Sequence, residues 1–184
     1  MRLFVAITPS AAALDELDAV VAPHRPAWPE LRWTSPQAWH ITLAFLGEVD
    51  EVTDQLTTRL ERAAGRHHSL ELSAAGAGAF PASARARVLW TGIAGDQEAL
   101  GGLAASVAAG ARRAGAPPPD EGRKFRPHIT LARCRTPADV RLLVAALTDY
   151  SGPSWPADRI HLIRSHLGTS PRYDTVASWP LRPA

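Results

Sequence analysis

Along the chain the spacing of apolar positions switches between the period of a strand and that of a helix, and the switches outline the elements. RLFVAI at 2–7 is apolar almost throughout and predicts a buried strand. The stretch 10–21 predicts a helix with Ser10 as its cap. A turn punctuated by Pro23, Pro26 and Pro29 leads to an extended piece at 31–34 and then to a strand over 40–46. Asp50 is placed to cap a helix reaching about Ala64, in which Val52, Leu56 and Leu60 recur at four-residue spacing. A second cycle follows: an extended segment at 70–72, a strand over 87–93, and an alanine-rich helix opened by Asp96 and ending near Gly115. A loop over 116–127 delivers the chain into a strand at His128. Thr136 then predicts a helix cap, with Pro137 in the first turn and the end near Thr148. Strands over 159–165 and 173–179 close the chain, and Gly-Ala-Gly at 76–78 reads as a turn. Helices alternating with strand pairs predict an α+β fold, one domain over 1–184, rather than a doubly wound parallel sheet.

The pentapeptide His-Ile-Thr-Leu-Ala occurs at 40–44 and again at 128–132. Strand side chains alternate faces, so His40 and Thr42 share one face and Ile41 and Leu43 the other. His128 and Thr130 stand in the same relation to Ile129 and Leu131. A single copy would read as a packing histidine beside a β-favouring threonine. Two identical copies in matching contexts imply an internal duplication that kept its polar face. A good strand has no need of histidine at the same place twice. If the two strands face each other, two imidazoles and two hydroxyls converge. That set suits in-line chemistry at phosphorus, where one group takes a proton and another supplies one.

Composition narrows the field. With 46% hydrophobic and 21% charged residues, the chain falls among ordinary globular proteins. A net charge of +2 is compatible with a phosphate-bearing substrate but lacks the dense basic stripe of a duplex binder. Cys134 is the one cysteine, so no disulfide closes within the chain and a reducing, cytoplasmic setting is expected. The apolar run after Arg2 is too short for a secretion signal and is followed by Asp15, Glu16 and Asp18. No run approaches the roughly 20 apolar residues that a membrane span needs. There is no glycine-rich nucleotide loop and no close His/Asp/Glu/Cys triplet for a metal.

WHITLAFLGEV at 39–49 and FRPHITLARC at 125–134 resemble the two HxTx motifs of the two-histidine (2H) phosphoesterases. Within that superfamily the likeness is to the RNA 2′,3′-cyclic phosphodiesterases, formerly called 2′-5′ RNA ligases. RLFVAI, the Arg32-Trp33 pair, GAFP at 78–81, RVLW at 87–90 and the ending RYDTVASWPL extend it over nearly the whole chain. The resemblance implies a bilobal fold with pseudo-twofold symmetry: two antiparallel sheets facing a central cleft, with helices on the outside. It implies a monomer without cofactor or metal that acts on single-stranded RNA ending in a 2′,3′-cyclic phosphate and leaves a 2′-phosphate. Ligation or cleavage of 2′-5′ linkages, or hydrolysis of a small cyclic nucleotide, is the alternative use of the same site. In that scheme His40 is the proton donor, His128 the proton acceptor, and Thr42 and Thr130 hold the non-bridging oxygens. The residues alone do not assign acid and base, because both imidazoles sit in the same local sequence.

The remaining candidates have less behind them. Arg126, two residues before His128, is a candidate for the phosphate. Phe125 reads first as core packing and second as a stacking surface for a terminal base. Arg123, Lys124, Arg133 and Arg135 read as exposed charge able to rim a site for RNA. Trp33, Trp39 and Trp90 read as core or cleft wall, and His67 and His68 as solvated. His161 and His166 lie five apart, on opposite faces of a strand, and Ser165 matches the family without a catalytic part. An RNA-binding module without catalysis would not need the imidazole pair, and a zinc hydrolase would need a third ligand that the spacing does not supply.

Overall fold

The computed structural model describes residues 1–120 and 122–184; Glu121, inside the loop predicted over 116–127, lies outside the described residues. The chain runs β1 (Arg2–Ile7), α1 (Ala11–Val21), β2 (Arg32–Trp33), β3 (Ile41–Glu48), α2 (Asp54–Ala64), β4 (Leu70–Ala82) and β5 (Arg85–Gly95). It continues through α3 (Gln97–Arg113), β6 (His128–Ala138), α4 (Arg141–Leu147), β7 (Trp155–Ala157), β8 (Arg159–His166) and β9 (Arg172–Pro180). A four-stranded sheet has the order β3-β1-β8-β9 and a five-stranded sheet the order β2-β6-β5-β4-β7. The strand pairs are antiparallel. Among the described residues no helix is long and apolar enough to cross a membrane.

The alternation of β1 separates two environments. Leu3, Val5 and Ile7 point to one side and join Leu17, Leu56, Leu100 and Leu103 of the helices in one continuous buried cluster. Phe4 and Ala6 point to the other side and form a small separate cluster with Ile163, packed by Tyr173. The helical side is the core, and the opposite side is the floor of the cleft. The two lobes are therefore not the two halves of the chain. β2 crosses into the five-stranded sheet, and β8 and β9 return to the first. Without that return β1 and β3 would form a two-stranded ribbon, which is marginal by itself.

Several predicted elements shift, each for a local reason. α2 starts at Asp54 rather than after Asp50, because the Thr53 hydroxyl accepts the Leu56 amide and caps it. Asp96 does precede α3, but its carboxylate accepts the Glu71 amide at 2.8 Å and ties α3 to β4 rather than capping the helix. The helix predicted from Thr136 is displaced: β6 runs on to Ala138, paired with Ala86, and α4 covers only Arg141–Leu147. Pro137 lies beyond Arg133, where the β2 pairing ends, and in the irregular stretch of the β5 pairing between Arg133 and Ala138, so no regular ladder bond is asked of it. The 76–78 segment is no turn. β4 continues through it with an irregularity between Ala75 and Gly78, where Gly76 adopts φ +67°. The GAFP segment at 78–81 lies within β4, and β7 was not anticipated.

Candidate active site

Each histidine stands at the start of its motif strand, His40 one residue before β3 and His128 as the first residue of β6. Beyond them both strands carry the same irregularity. Thr42 pairs with Ala6 and Ala44 with Val5, skipping Leu43; Thr130 pairs with Trp90 and Ala132 with Leu89, skipping Leu131. Two successive apolar residues therefore turn inward in each copy, Leu43 with Ala44 and Leu131 with Ala132, all of them buried. The next residue turns back to the cleft, which puts Phe45 on the face of His40 and Thr42 and Arg133 on the face of His128 and Thr130.

The imidazoles are held in matching ways. His40 Nδ1–H donates to the Ala38 carbonyl at 2.8 Å, and His128 Nδ1–H donates to the Arg126 carbonyl at 2.7 Å. A carbonyl can only accept, so each Nδ1 carries the proton and each Nε2 is the atom free to take one up. Aromatic rings pack around both. Phe4 lies 4.7 Å from the His40 ring, and Tyr173 meets it edge-on at 5.4 Å. Phe80 meets His128 edge-on at 5.0 Å, with Trp90 at 6.2 Å. Trp90 reaches that position because Gly78 lies beneath it; a Cβ on Gly78 would run into the indole ring.

Burial pushes the pKa of both imidazoles below the usual histidine value, opposed in each case by the bond to the carbonyl. The charge of Arg133 pushes the same way on both, and His128 adds to it at His40. One guanidinium is thus felt by both motifs, and the two imidazoles feel each other. At neutral pH both rings favour the neutral form, which suits a base. An acid at the same place would need its proton stabilised by an anion lying between the rings.

Thr42 and Thr130 are half-buried on the same faces as their histidines. The Arg126 side chain is exposed, and what joins this residue to the site is its backbone carbonyl. Phe125 packs against the core, and Arg123, Lys124 and Arg135 are exposed. Trp39 is buried, while the indole of Trp33 donates to the Trp28 carbonyl. His67 is not fully solvated: it is half-buried and hydrogen-bonded to Ser106 at 2.7 Å. His166 bonds Asp174, and His161 bonds Ser178. Among the described residues no three His, Cys, Asp or Glu side chains are grouped to hold a metal. Sequence reasoning missed the roles of Phe4, Phe80 and Tyr173 as packing for the imidazoles. Arg133, read as exposed charge on a rim, is exposed, and its charge lowers the pKa of both imidazoles. The Leu-Ala pair that breaks alternation at one place in both copies was the available signal for Arg133. Nothing local announced the aromatic packing.

A sequence model of the 2′-5′ RNA ligase superfamily matches residues 9–169. An RNA 2′,3′-cyclic phosphodiesterase of Thermus thermophilus is 32% identical, the alignment covering 99% of this chain and 91% of that protein. Another, from Geobacillus stearothermophilus, is 29% identical over 97% of this chain, which spans 56% of that relative's length. The crystal structure of Escherichia coli LigT in apo form matches with a TM-score of 0.73 and 28% identity, covering 98% of this chain and 97% of that one.

Proposed function

Because the chain belongs to the 2′-5′ RNA ligase superfamily, we propose that it hydrolyses 2′,3′-cyclic phosphate ends of RNA to 2′-phosphates by acid–base catalysis between His128 and His40. The observation that carries this reading is the matched pair of Nδ1–H bonds to Arg126 and Ala38, which leaves two Nε2 atoms to exchange protons across one site. His128 Nε2 takes a proton from water as the water oxygen bonds to phosphorus. The bond from phosphorus to O3′ breaks, and His40 Nε2–H protonates the departing oxygen. The product keeps phosphate on O2′ and a free 3′-hydroxyl. The assignment of base to His128 and acid to His40 follows the family resemblance. Thr42 and Thr130 donate to the non-bridging oxygens as their charge grows, and Arg133 balances that charge. The anionic phosphate also raises the proton affinity of His40 on binding, which meets the requirement of the acid. Phe45, exposed on the cleft face, offers a ring on which the terminal base can stack. No step draws on a metal ion.

The test is incubation of the purified protein, in EDTA, with an oligoribonucleotide ending in a 2′,3′-cyclic phosphate, followed by assignment of the product. Conversion to the 2′-phosphate is the expected result. A 3′-phosphate would reverse which oxygen leaves, and loss of activity with chelator would overturn the metal-free scheme.

A further inference from the structure

A row of directly opposed residues crosses the cleft face of the five-stranded sheet. Phe80 of β4 lies opposite Val88 of β5, Val88 opposite Arg133 of β6, and Arg133 opposite Arg32 of the edge strand β2. The row starts at the reactive centre, since Phe80 meets the His128 ring at 5.0 Å. The neighbouring pair, Trp33 and Ala132, faces the other way: Ala132 is buried in the main core and Trp33 packs against it. Arg32 and Arg133 therefore stand side by side on the cleft face, and both are exposed. Like charges directly opposed on adjacent strands cost stability unless an opposite charge joins them. Neither guanidinium makes an ion pair with another described residue. Arg32 spends one donor on the Thr169 carbonyl at 3.2 Å and keeps the rest of its fork open. Thr169 belongs to the loop between β8 and β9 of the four-stranded sheet, so Arg32 stands within reach of both sheets. The charge of Arg133 acts on both imidazoles, and Arg32 sits one strand farther out, a spacing of about 5 Å.

We propose that Arg32 binds the phosphodiester on the 5′ side of the terminal nucleotide while Arg133 serves the reacting phosphate, so that Arg32 favours an RNA strand over a lone cyclic nucleotide. This rests on the phosphodiesterase reading above and deepens it by naming the substrate class. The argument is one of charge spacing. The negative charge nearest to a 2′,3′-cyclic end is the phosphate at O5′ of the same nucleotide, and the next cation beyond Arg133 along the row is Arg32. A guanidinium offers parallel N–H donors to two phosphate oxygens, so it holds a diester by direction as well as by charge. No strand lies beyond β2 in the sheet, which leaves the rest of the RNA free to run out past Arg32.

The experiment uses two dinucleotides, each a 2′-deoxyadenosine joined to an adenosine 2′,3′-cyclic phosphate. They differ only in the linkage, an anionic phosphodiester in one and a neutral methylphosphonate in the other. The wild type should favour the anionic linkage in kcat/KM by roughly five- to tenfold at low salt. In Arg32→Gln the ratio should fall toward one, and Arg32→Lys should keep part of it. For the anionic substrate, the slope of log kcat/KM against log salt should be shallower by about 0.7 in Arg32→Gln, the loss of one phosphate contact to a single strand. A role for Arg32 confined to holding the Thr169 loop would lower turnover of both dinucleotides alike. The ratio would then stay at its wild-type value, which overturns the proposal. A wild-type ratio near one would overturn it too, and either result leaves the phosphodiesterase reading standing. If the wild type turned over neither dinucleotide, that reading would fall instead. Calorimetry with the two corresponding dinucleotide 2′-phosphates would still decide Arg32. The anionic linkage should bind more tightly in wild type and equally in Arg32→Gln, and equal binding in wild type would overturn the proposal.

Discussion

Phe45 and Arg133 occupy the same position in the two halves of the cleft. Each follows its histidine by five residues, each lies two residues after the skipped leucine, and each is exposed on the cleft face. Phe45 lies opposite Phe4 of β1, and Arg133 lies opposite Val88 of β5. The repeat is identical through its five residues and diverges at the sixth, an aromatic ring in one copy and a guanidinium in the other. A symmetric pair of imidazoles thereby acquires an asymmetric setting, as a pair with opposite proton roles requires.

Replacing either histidine by alanine should lower kcat by about 10²–10⁴ with the fold retained. A substrate whose leaving 3′-oxygen is replaced by sulfur separates the roles, because a thiolate departs without a proton. It should restore most of the loss in His40→Ala and little in His128→Ala; the reverse pattern would exchange acid and base.

The lowered pKa of both rings sets the pH profile of kcat/KM. A base with a lowered pKa stays neutral to lower pH, which moves the acid limb down. An acid with a lowered pKa gives up its proton sooner, which moves the alkaline limb down as well. The bell should therefore peak on the acid side of the ordinary histidine value of about 6.5. A plateau extending through pH 8 would contradict the pair.

Arg133→Gln removes a cation that disfavours protonation of both imidazoles, so both should titrate at higher pH than in wild type. Proton NMR of the two Cε1–H signals measures this directly. A shift in only one ring would show that the guanidinium serves one motif alone.

Thr42→Val and Thr130→Val should lower kcat more than they raise KM if the hydroxyls meet charge that grows in the transition state. Steady-state kinetics on the cyclic substrate decides it, and an effect confined to KM would assign the hydroxyls to ground-state binding.

Gly78→Ala should force the Trp90 ring off β4 and, through it, disturb Phe80 and His128. The expected cost is about 1–3 kcal/mol in urea unfolding, with a drop in kcat. Wild-type stability and turnover together would show that the indole has room to move.

The α+β class, most strands, the helix at 10–21 and the shared face of each His-x-Thr pair were legible because each depends on short-range periodicity and on a repeat visible in the chain. Less was legible wherever a partner strand or a capping bond made the decision. Pro137 looked like the first turn of a helix until pairing with β5 carried β6 past it, and Gly-Ala-Gly at 76–78 looked like a turn until β5 held it as an irregular strand. The sequence by itself determined which residue types face the cleft, because alternation along a strand is a local property of the backbone. Only the tertiary structure decided that Phe45 and Arg133 face it too, that Phe4, Phe80 and Tyr173 pack the imidazoles, and that Arg133 acts on both rings. Those relationships depend on skipped residues in the register and on contacts between strands far apart in the chain, and no local pattern carries either.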